Sequence, residues 1–346
     1  MLSVLAVGDV HAGKNNLAHV KMLMKMLKRY LSDAKEHNEL PDVLVFMGDL
    51  FDRFENLNLY ALKMVTKNIL AFSRYLYVVV LVGNHDRGNP EDFQSSIHPF
   101  TGLMNRTNIS IVDKAKHVLF RMHNTEEKHR LVFVPYVPPG RFREALDTLK
   151  VSIEEYPPSA IFCHQEFYDV SLGGVKRSTH GDKWPEDAPF VFSGHIHHYH
   201  YLQSNILYVG TPYQITHAES PDKGILAIRI DPNDTKHPHV KRIPLGITHK
   251  MIKRLAQDEV EAFVAENAST IQNKEQVKVF LYGTDPILLH EAGFTNVEVR
   301  PPRQTLDEAS IAFKQTQPNE TLQNIWFSLL KNDAAAMTLA TTICGK

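Results

Sequence analysis

Apolar residues along this chain gather in short unbroken runs, and five of these runs stop at side chains of the kind that bind cations. The run 43–47 leads into Gly48-Asp49-Leu50-Phe51-Asp52. The run 4–7 leads into Gly8-Asp9-Val10-His11, and the run 78–82 into Gly83-Asn84-His85-Asp86. Ile161-Phe162-Cys163 ends at His164, and Phe190-Val191-Phe192 is followed by Ser193-Gly194-His195-Ile196-His197. Runs of this length without alternation predict strands covered on both faces. Gly48 lets the backbone turn without a β-carbon clash. Asp49 then stands at the carboxyl end of a strand, where open α/β sheets keep their sites. If the five ends share the edge of a parallel sheet, groups distant in sequence converge there.

Between the first three runs the period lengthens. Leu17, Val20, Met24, Leu27 and Leu31 step by three and four, predicting a helix opened by Lys14-Asn15-Asn16. Met22 and Met26 widen its apolar stripe into the core. Lys21, Lys25 and Lys28 form a solvated face or a phosphate track. Leu62, Val65, Ile69, Phe72 and Leu76 predict a second helix. The resulting β-α-β-α-β order is that of a mostly parallel sheet with helices packed on it. Residues 90–108 read as a short helix and loops above the site. Strands at 109–112, 117–122 and 130–134, with a turn at 124–128, begin a second sheet. A helix is expected at 142–149.

Residues 168–188 read as a long loop carrying Lys176, Arg177 and His180 towards the site, either functional or a plain surface excursion. Strands at 199–203, 206–209, 224–230 and 239–243 suggest an antiparallel meander with a hairpin turn at Asp231-Pro232-Asn233-Asp234. Pro244-Leu245-Gly246 marks a boundary, giving a domain over 1–245 and a small α+β unit over 246–318. That unit contains a helix at 257–266, a strand at 277–282, a short helix after Asp285-Pro286 and a strand at 297–300. Thr305-Leu306-Asp307-Glu308 has the form of a capping box. The tail 319–346 reads as a last helix that either packs or docks a partner. Lys241, Arg242, Lys250, Lys253 and Arg254 make the boundary basic, as a solvated linker or as a groove rim that meets a phosphate backbone.

The formal net charge is −1, so no global field attracts nucleic acid, and a polyanion must be held by a local patch or by metal ions. Two cysteines give no disulfide framework, which fits a reducing, cytoplasmic setting. The chain opens on a core strand, so no signal peptide is expected, and no apolar run is long enough for a bilayer.

The five strand ends carry both oxygen and nitrogen donors. Such a mixture suits Mn, Fe or Zn better than Ca. A carboxylate has four lone-pair positions, and Asp49 reads as a bridge between two cations. Two cations about 3.5–4 Å apart can clamp the attacking and leaving oxygens of a phosphate displacement.

Together, in this order, the Asp9–His11, Asp49–Asp52, Asn84–Asp86, His164 and His195–His197 blocks resemble the calcineurin-like metallophosphoesterases. The resemblance implies a four-layer α-β-β-α sandwich in which one metal takes Asp9, His11, Asp49 and His197, and the other Asp49, Asn84, His164 and His195. It implies that His85 protonates the leaving oxygen or steadies the phosphate, oriented by Asp52. Within the family, Val82-Gly83-Asn84-His85-Asp86 running to His98-Pro99 is similar to the phage recombination nucleases. Leu207-Tyr208-Val209-Gly210-Thr211-Pro212-Tyr213, followed by Lys223-Gly224-Ile225-Leu226, resembles a block of the SbcD-type nucleases. The unit after residue 245 matches that group's DNA-capping domain in position. This likeness implies a Mn²⁺-dependent exo- and endonuclease, a coiled-coil ATPase partner of the SbcC kind, and a homodimer on DNA. A small-molecule phosphodiesterase or phosphatase would use the same residues. A catalytically inert, metal-bound scaffold would require a missing ligand, and all seven are present.

Overall fold

The unbroken apolar runs become strands with both faces covered. The computed structural model describes residues 1–121, 128–247 and 249–301. Strands β1 (Leu2–Val7), β2 (Val43–Phe46) and β3 (Tyr77–Leu81) are joined by helices α1 (Leu17–Glu36) and α2 (Leu59–Phe72). The three strands are parallel, and Val7, Phe46 and Val80 lie in one row across them. Strand β4 (Ile109–Val112) pairs parallel to β3, with Ile111 opposite Val80. The sequence reading put this strand in the second sheet. It extends the first instead, because every residue in it is buried and Val78 N–H donates to Asn108 O at 2.8 Å.

The second sheet takes β5 (Lys116–Arg121), β6 (Lys128–Val134), β7 (Ala160–Cys163), β10 (Val191–Ser193), β11 (His200–Gln203) and β12 (Ile206–Tyr208). Helix α3 (Phe142–Asp147) lies between β6 and β7 in sequence. The region expected as a long loop forms a small hairpin of β8 (Ser171–Gly173) and β9 (Lys176–Arg177). Strands β13 (Ile225–Asp231) and β14 (Asp234–Ile243) return to the first sheet. The first sheet therefore runs β14-β13-β1-β2-β3-β4, and the second β11-β12-β10-β7-β6-β5. The expected single meander is split: β11 and β12 stay in the second sheet, and the β13–β14 hairpin lies antiparallel beside β1. Leu226, Ile228 and Ile230 alternate towards the core between the sheets, which fixes that register.

Side-chain alternation along the strands builds the layers. Val4, Val45, Val79, Phe133, Phe162 and Phe192 share the core between the sheets. Leu5, Leu44 and Val80 face outward onto Val20, Leu27, Val65 and Ile69 of α1 and α2. Val132, Ile161 and Tyr208 meet Phe142 and Leu146 of α3 on the far side. The result is the four-layer α-β-β-α sandwich. Helix α2 starts where the Asn58 side chain accepts from Tyr60 N and Ala61 N at 3.0 and 3.1 Å. Met26 packs against the helix core as expected, but Met22 is exposed at the edge of the stripe.

The chain divides into two compact units. One comprises 1–253, 270–279 and 294–296; among the described residues the other comprises 254–269, 280–293 and 297–301. The basic run read as a linker contains strand β15 (Met251–Ala256), followed by α4 (Val260–Asn267), β16 (Val277–Tyr282), α5 (Ile287–Glu291) and β17 (Val297–Arg300). These strands form a sheet of order β15-β16-β17. The turn at 124–128, except Lys128, the capping box at 305–308 and the tail helix at 319–346 lie outside the described residues. No helix among the described residues is long and apolar enough to cross a membrane.

Phe162 stacks between Phe133 and Phe192, with ring centroids 5.7 and 5.0 Å away, and is fully buried. Phe162→Ala is expected to lower stability by about 3–5 kcal/mol in urea unfolding; a loss under 1 kcal/mol would contradict this packing. Burial pushes the Cys163 thiol up to about 12. The folded protein should therefore keep Cys163 as unreactive thiol at pH 8, with iodoacetamide labelling, read by peptide mass spectrometry, appearing only on unfolding.

Candidate metal centre

Two sheets, not one edge, supply the strand ends. Beyond the shared row of Val7, Phe46 and Val80, the first sheet delivers Asp9, His11, Asp49, Asn84 and His85. Cys163 and Ser193 pair across β7 and β10 of the second sheet, which delivers His164, His195 and His197. The loops after β1 and β2 remain stitched together: Asp49 O accepts from Val10 N at 3.1 Å and His11 N at 2.8 Å.

The turns that aim these groups are tight. His11, Asp49 and His195 have φ of 46°, 47° and 73°, uncommon for residues with a β-carbon. Gly48, at φ 104°, passes so close to the His164 ring that a β-carbon there would overlap it. Gly83 is pressed in the same way against the Asp49 carboxylate. Strained backbone held by its surroundings is frequent where side-chain placement serves a purpose.

The donor atoms converge in two sets. His11 Nε2 and His197 Nε2 are 3.1 Å apart, with Asp9 in the same cluster. Asn84 Oδ1 lies 3.2 Å from His164 Nε2 and 3.1 Å from His195 Nδ1, and His164 Nε2 lies 3.3 Å from Asp49 Oδ2. Asp49 also stands 3.9 Å from His11 Nε2, so it is shared by both sets. A cation with ligands at about 2.1 Å has octahedral edges of about 3.0 Å and tetrahedral edges of about 3.4 Å. The spacings here are those of donors around such cations, and the mixed N/O set fits borderline divalent metals.

Charge points the same way. Asp9 and Asp49 are both buried. Burial, then the neighbouring Asp49 charge, raises the Asp9 pKa, though the surrounding imidazoles oppose this. Burial also works against ionised Asp49, but the His164 charge and hydrogen bond outweigh it and hold the carboxyl far below its usual range. Burial acts against His164⁺, yet Asp49 and Asp9 push its pKa up to about 9. The two carboxylates thus demand positive charge, which a divalent cation supplies more fully than an imidazole proton. His11 is the counterpart: burial drives it down to about 3, leaving a neutral ring with a free lone pair.

Hydrogen bonds also fix the His164, His197 and His85 rings from behind. His164 Nδ1 bonds Met47 O at 2.7 Å, and His197 Nδ1 bonds Glu219 Oε1 at 3.1 Å. His195 Nε2 faces Glu166 Oε2 at 3.8 Å, and its backbone N–H donates to Asp9 at 3.0 and 3.2 Å. His85 sits edge-on to His11, with ring centroids 4.8 Å apart, and its backbone N–H donates to Asp49 Oδ1 at 2.9 Å. Its Nδ1 bonds the backbone carbonyl of Asp52 at 2.6 Å. The expectation that Asp52 orients His85 therefore needs correcting in detail. The carbonyl does so, while the half-exposed Asp52 carboxylate lies 4.0 Å from His11 Nδ1.

Residues 2–199 match the sequence profile of the calcineurin-like phosphoesterases. The chain belongs to that family. It is similar to "Putative phosphoesterase 078R" of Invertebrate iridescent virus 3, with 29% identity over 94% of this chain and 87% of that protein. It is also similar to "Putative phosphoesterase 244L" of Invertebrate iridescent virus 6, with 35% identity over 69% of this chain and 81% of that protein. Metal-dependent phosphoester hydrolysis is the family's chemistry, and the two donor sets above are where divalent cations would be held.

The basic residues expected to meet DNA differ in exposure. Lys176, His180, Lys241 and Arg254 are exposed, and Lys253 is half-buried. Arg177 bonds Asp169 Oδ2 at 3.2 Å, and Arg242 bonds Asp222 Oδ2 at 2.5 Å. Lys250 is a correction: it is buried, with Nζ donating to Asn16 Oδ1 at 2.8 Å and Ile215 O at 2.6 Å. Three residues escaped the sequence reading. Glu166 and Glu219 carried no spacing signal. Tyr136 stands 5.7 Å from His195, and burial, with Glu91 and Glu166 adding to it, raises its hydroxyl to about 12.

Asp86 was legible only as part of its motif. It accepts from Leu50, Phe51 and Gly83 N–H at 3.1, 2.9 and 3.1 Å, clamping the loops after β2 and β3 together. Asp86→Ala leaves three buried N–H groups without this acceptor. We expect a loss of about 2–4 kcal/mol in urea unfolding and at least tenfold weaker Mn²⁺ binding by calorimetry; an unchanged urea midpoint would contradict the clamp.

Proposed function

We propose that this protein is a two-metal phosphodiesterase acting on DNA, an exo- and endonuclease with Mn²⁺ as its working ion. The observation that carries the reading is the setting of His85. Its Nδ1 is occupied by a backbone carbonyl, which leaves Nε2 for proton exchange on a ring that shares one cluster with His11 and Asp49. A phosphodiester needs such an acid, because its leaving alkoxide is a poor leaving group unless protonated. Asp9, His11, Asp49 and His197 would hold one cation, and Asp49, Asn84, His164 and His195 the other. When bound, the pair would polarise the phosphate and lower the pKa of water. Asp49 fixes the His85 backbone, and the Asp52 carbonyl fixes its ring.

DNA is favoured by the likeness of the 82–99 and 207–226 segments to phage and SbcD-type nucleases. Exposed Lys176, His180, Lys241 and Arg254 are available for phosphate contacts. In this reading the partner is a coiled-coil ATPase of the SbcC kind, and two copies of this chain act on one duplex. A small-molecule phosphodiesterase is the second reading. It is favoured by the net charge of −1 and by the carboxylates of Glu166 and Glu219 behind the metal-site imidazoles.

Purified protein with Mn²⁺ is expected to degrade linear duplex DNA. His85→Ala should lower that rate by about a hundred- to ten-thousandfold while still binding Mn²⁺. Rapid hydrolysis of bis(p-nitrophenyl) phosphate with intact duplex and single-stranded DNA would select the second reading instead.

A further inference from the structure

Behind His197 lies a bonded chain that the sequence did not announce. Glu219 Oε1 accepts a hydrogen bond from His197 Nδ1 at 3.1 Å. Its other oxygen, Oε2, accepts from Ile215 N at 3.2 Å and pairs with Lys223 Nζ at 2.7 Å. Lys223 is itself nearly buried and donates a second bond to the His197 carbonyl at 2.8 Å. Gln214 Nε2 donates to Glu219 O at 2.8 Å, and Gln214 Oε1 accepts from Lys250 N at 2.7 Å. Lys250 Nζ reaches Asn16, whose amide donates to the His11 carbonyl at 3.4 Å. The chain of bonds thus leaves the imidazole of His197 and returns to the backbone of His11, the other histidine of the first donor set.

We propose that Glu219, held by Lys223, is the positioning residue that gives His197 its metal-binding tautomer and so sets the affinity of one cation and not the other. The inference rests on the two-metal reading above. A carboxylate on Nδ1 fixes the proton there, leaves the lone pair on Nε2, and makes the ring a better donor. Nε2 is the atom that faces His11 Nε2 at 3.1 Å. His195, in the second set, has its Glu166 partner at 3.8 Å, beyond hydrogen-bond distance. The first cation is therefore the one whose imidazole is held by a close carboxylate. Lys223 stops Glu219 from turning to the metal, because it already satisfies the oxygen away from His197.

The test is Mn²⁺ binding to the full chain stripped of metal, followed by electron paramagnetic resonance and calorimetry. Wild type is expected to bind two ions. Glu219→Gln places an amide where one oxygen must meet Nδ1–H and the other Lys223 and Ile215 N–H, so one contact becomes donor against donor. It should weaken one ion by about ten- to a hundredfold, the same ion that His197→Asn removes, and leave the second within about twofold. Glu219→Asp, which keeps the charge, should recover part of the loss. If Glu219→Gln does not fold, Lys223→Met carries the test and should weaken the same ion severalfold. Wild-type affinity for both ions in the folded variants, or equal weakening of both, overturns the proposal. Fewer than two ions on the wild type would instead overturn the two-metal reading itself.

Discussion

Two carboxylates kept from water at the ends of strands are the constraint from which the rest of the catalytic unit follows. Asp9 and Asp49 are buried where β1 and β2 stop, and ionised groups in such a place need compensating positive charge close by. The imidazoles answer that need from two sheets at once. His164 and His195 can reach the acids only because the second sheet packs face to face on the first. The sandwich core of Phe133, Phe162 and Phe192 is thus not separate from the site. It sets the spacing at which nitrogen and oxygen donors stand about 3 Å apart, the edge length of a coordination shell.

The sequence disclosed this centre well because its parts are local. Each donor sits one to five residues after an apolar run, and the run and the donor are visible together, with the glycine between them in Val43 to Asp49. The same locality let helices α1 and α2 be read from their three-and-four spacing. What failed depended on long-range pairing. Ile109–Val112 looks the same as a strand of either sheet, and only its burial beside β3 decides between them. Strands β13 and β14 follow β12 directly, yet they cross back to β1.

Charged residues misled for a related reason. Lys250, Lys253 and Arg254 form one basic run on paper. In space Lys250 is turned inward to Asn16, while Arg254 lays its guanidinium over the Phe280 ring at 5.5 Å. Glu219 lies 22 residues past His197 in a polar turn, and nothing in its surroundings separates it from solvent-facing acids such as Asp222. Its significance is geometric: it becomes visible only once the turn from Tyr213 to Lys223 is folded beneath His197.

The pairing of β1 with β13 has a consequence for biosynthesis. Leu2 meets Ile230, so β1 finds one of its two neighbours only after more than two hundred further residues have been added. At about 5–20 residues per second, ribosomes need roughly ten to fifty seconds to cover that distance. Throughout that interval Leu2, Val4 and Ala6, which end fully buried, belong to a strand with an open flank. Until β13 is made, that flank presents unpaired backbone groups and apolar side chains on which other strands could pair.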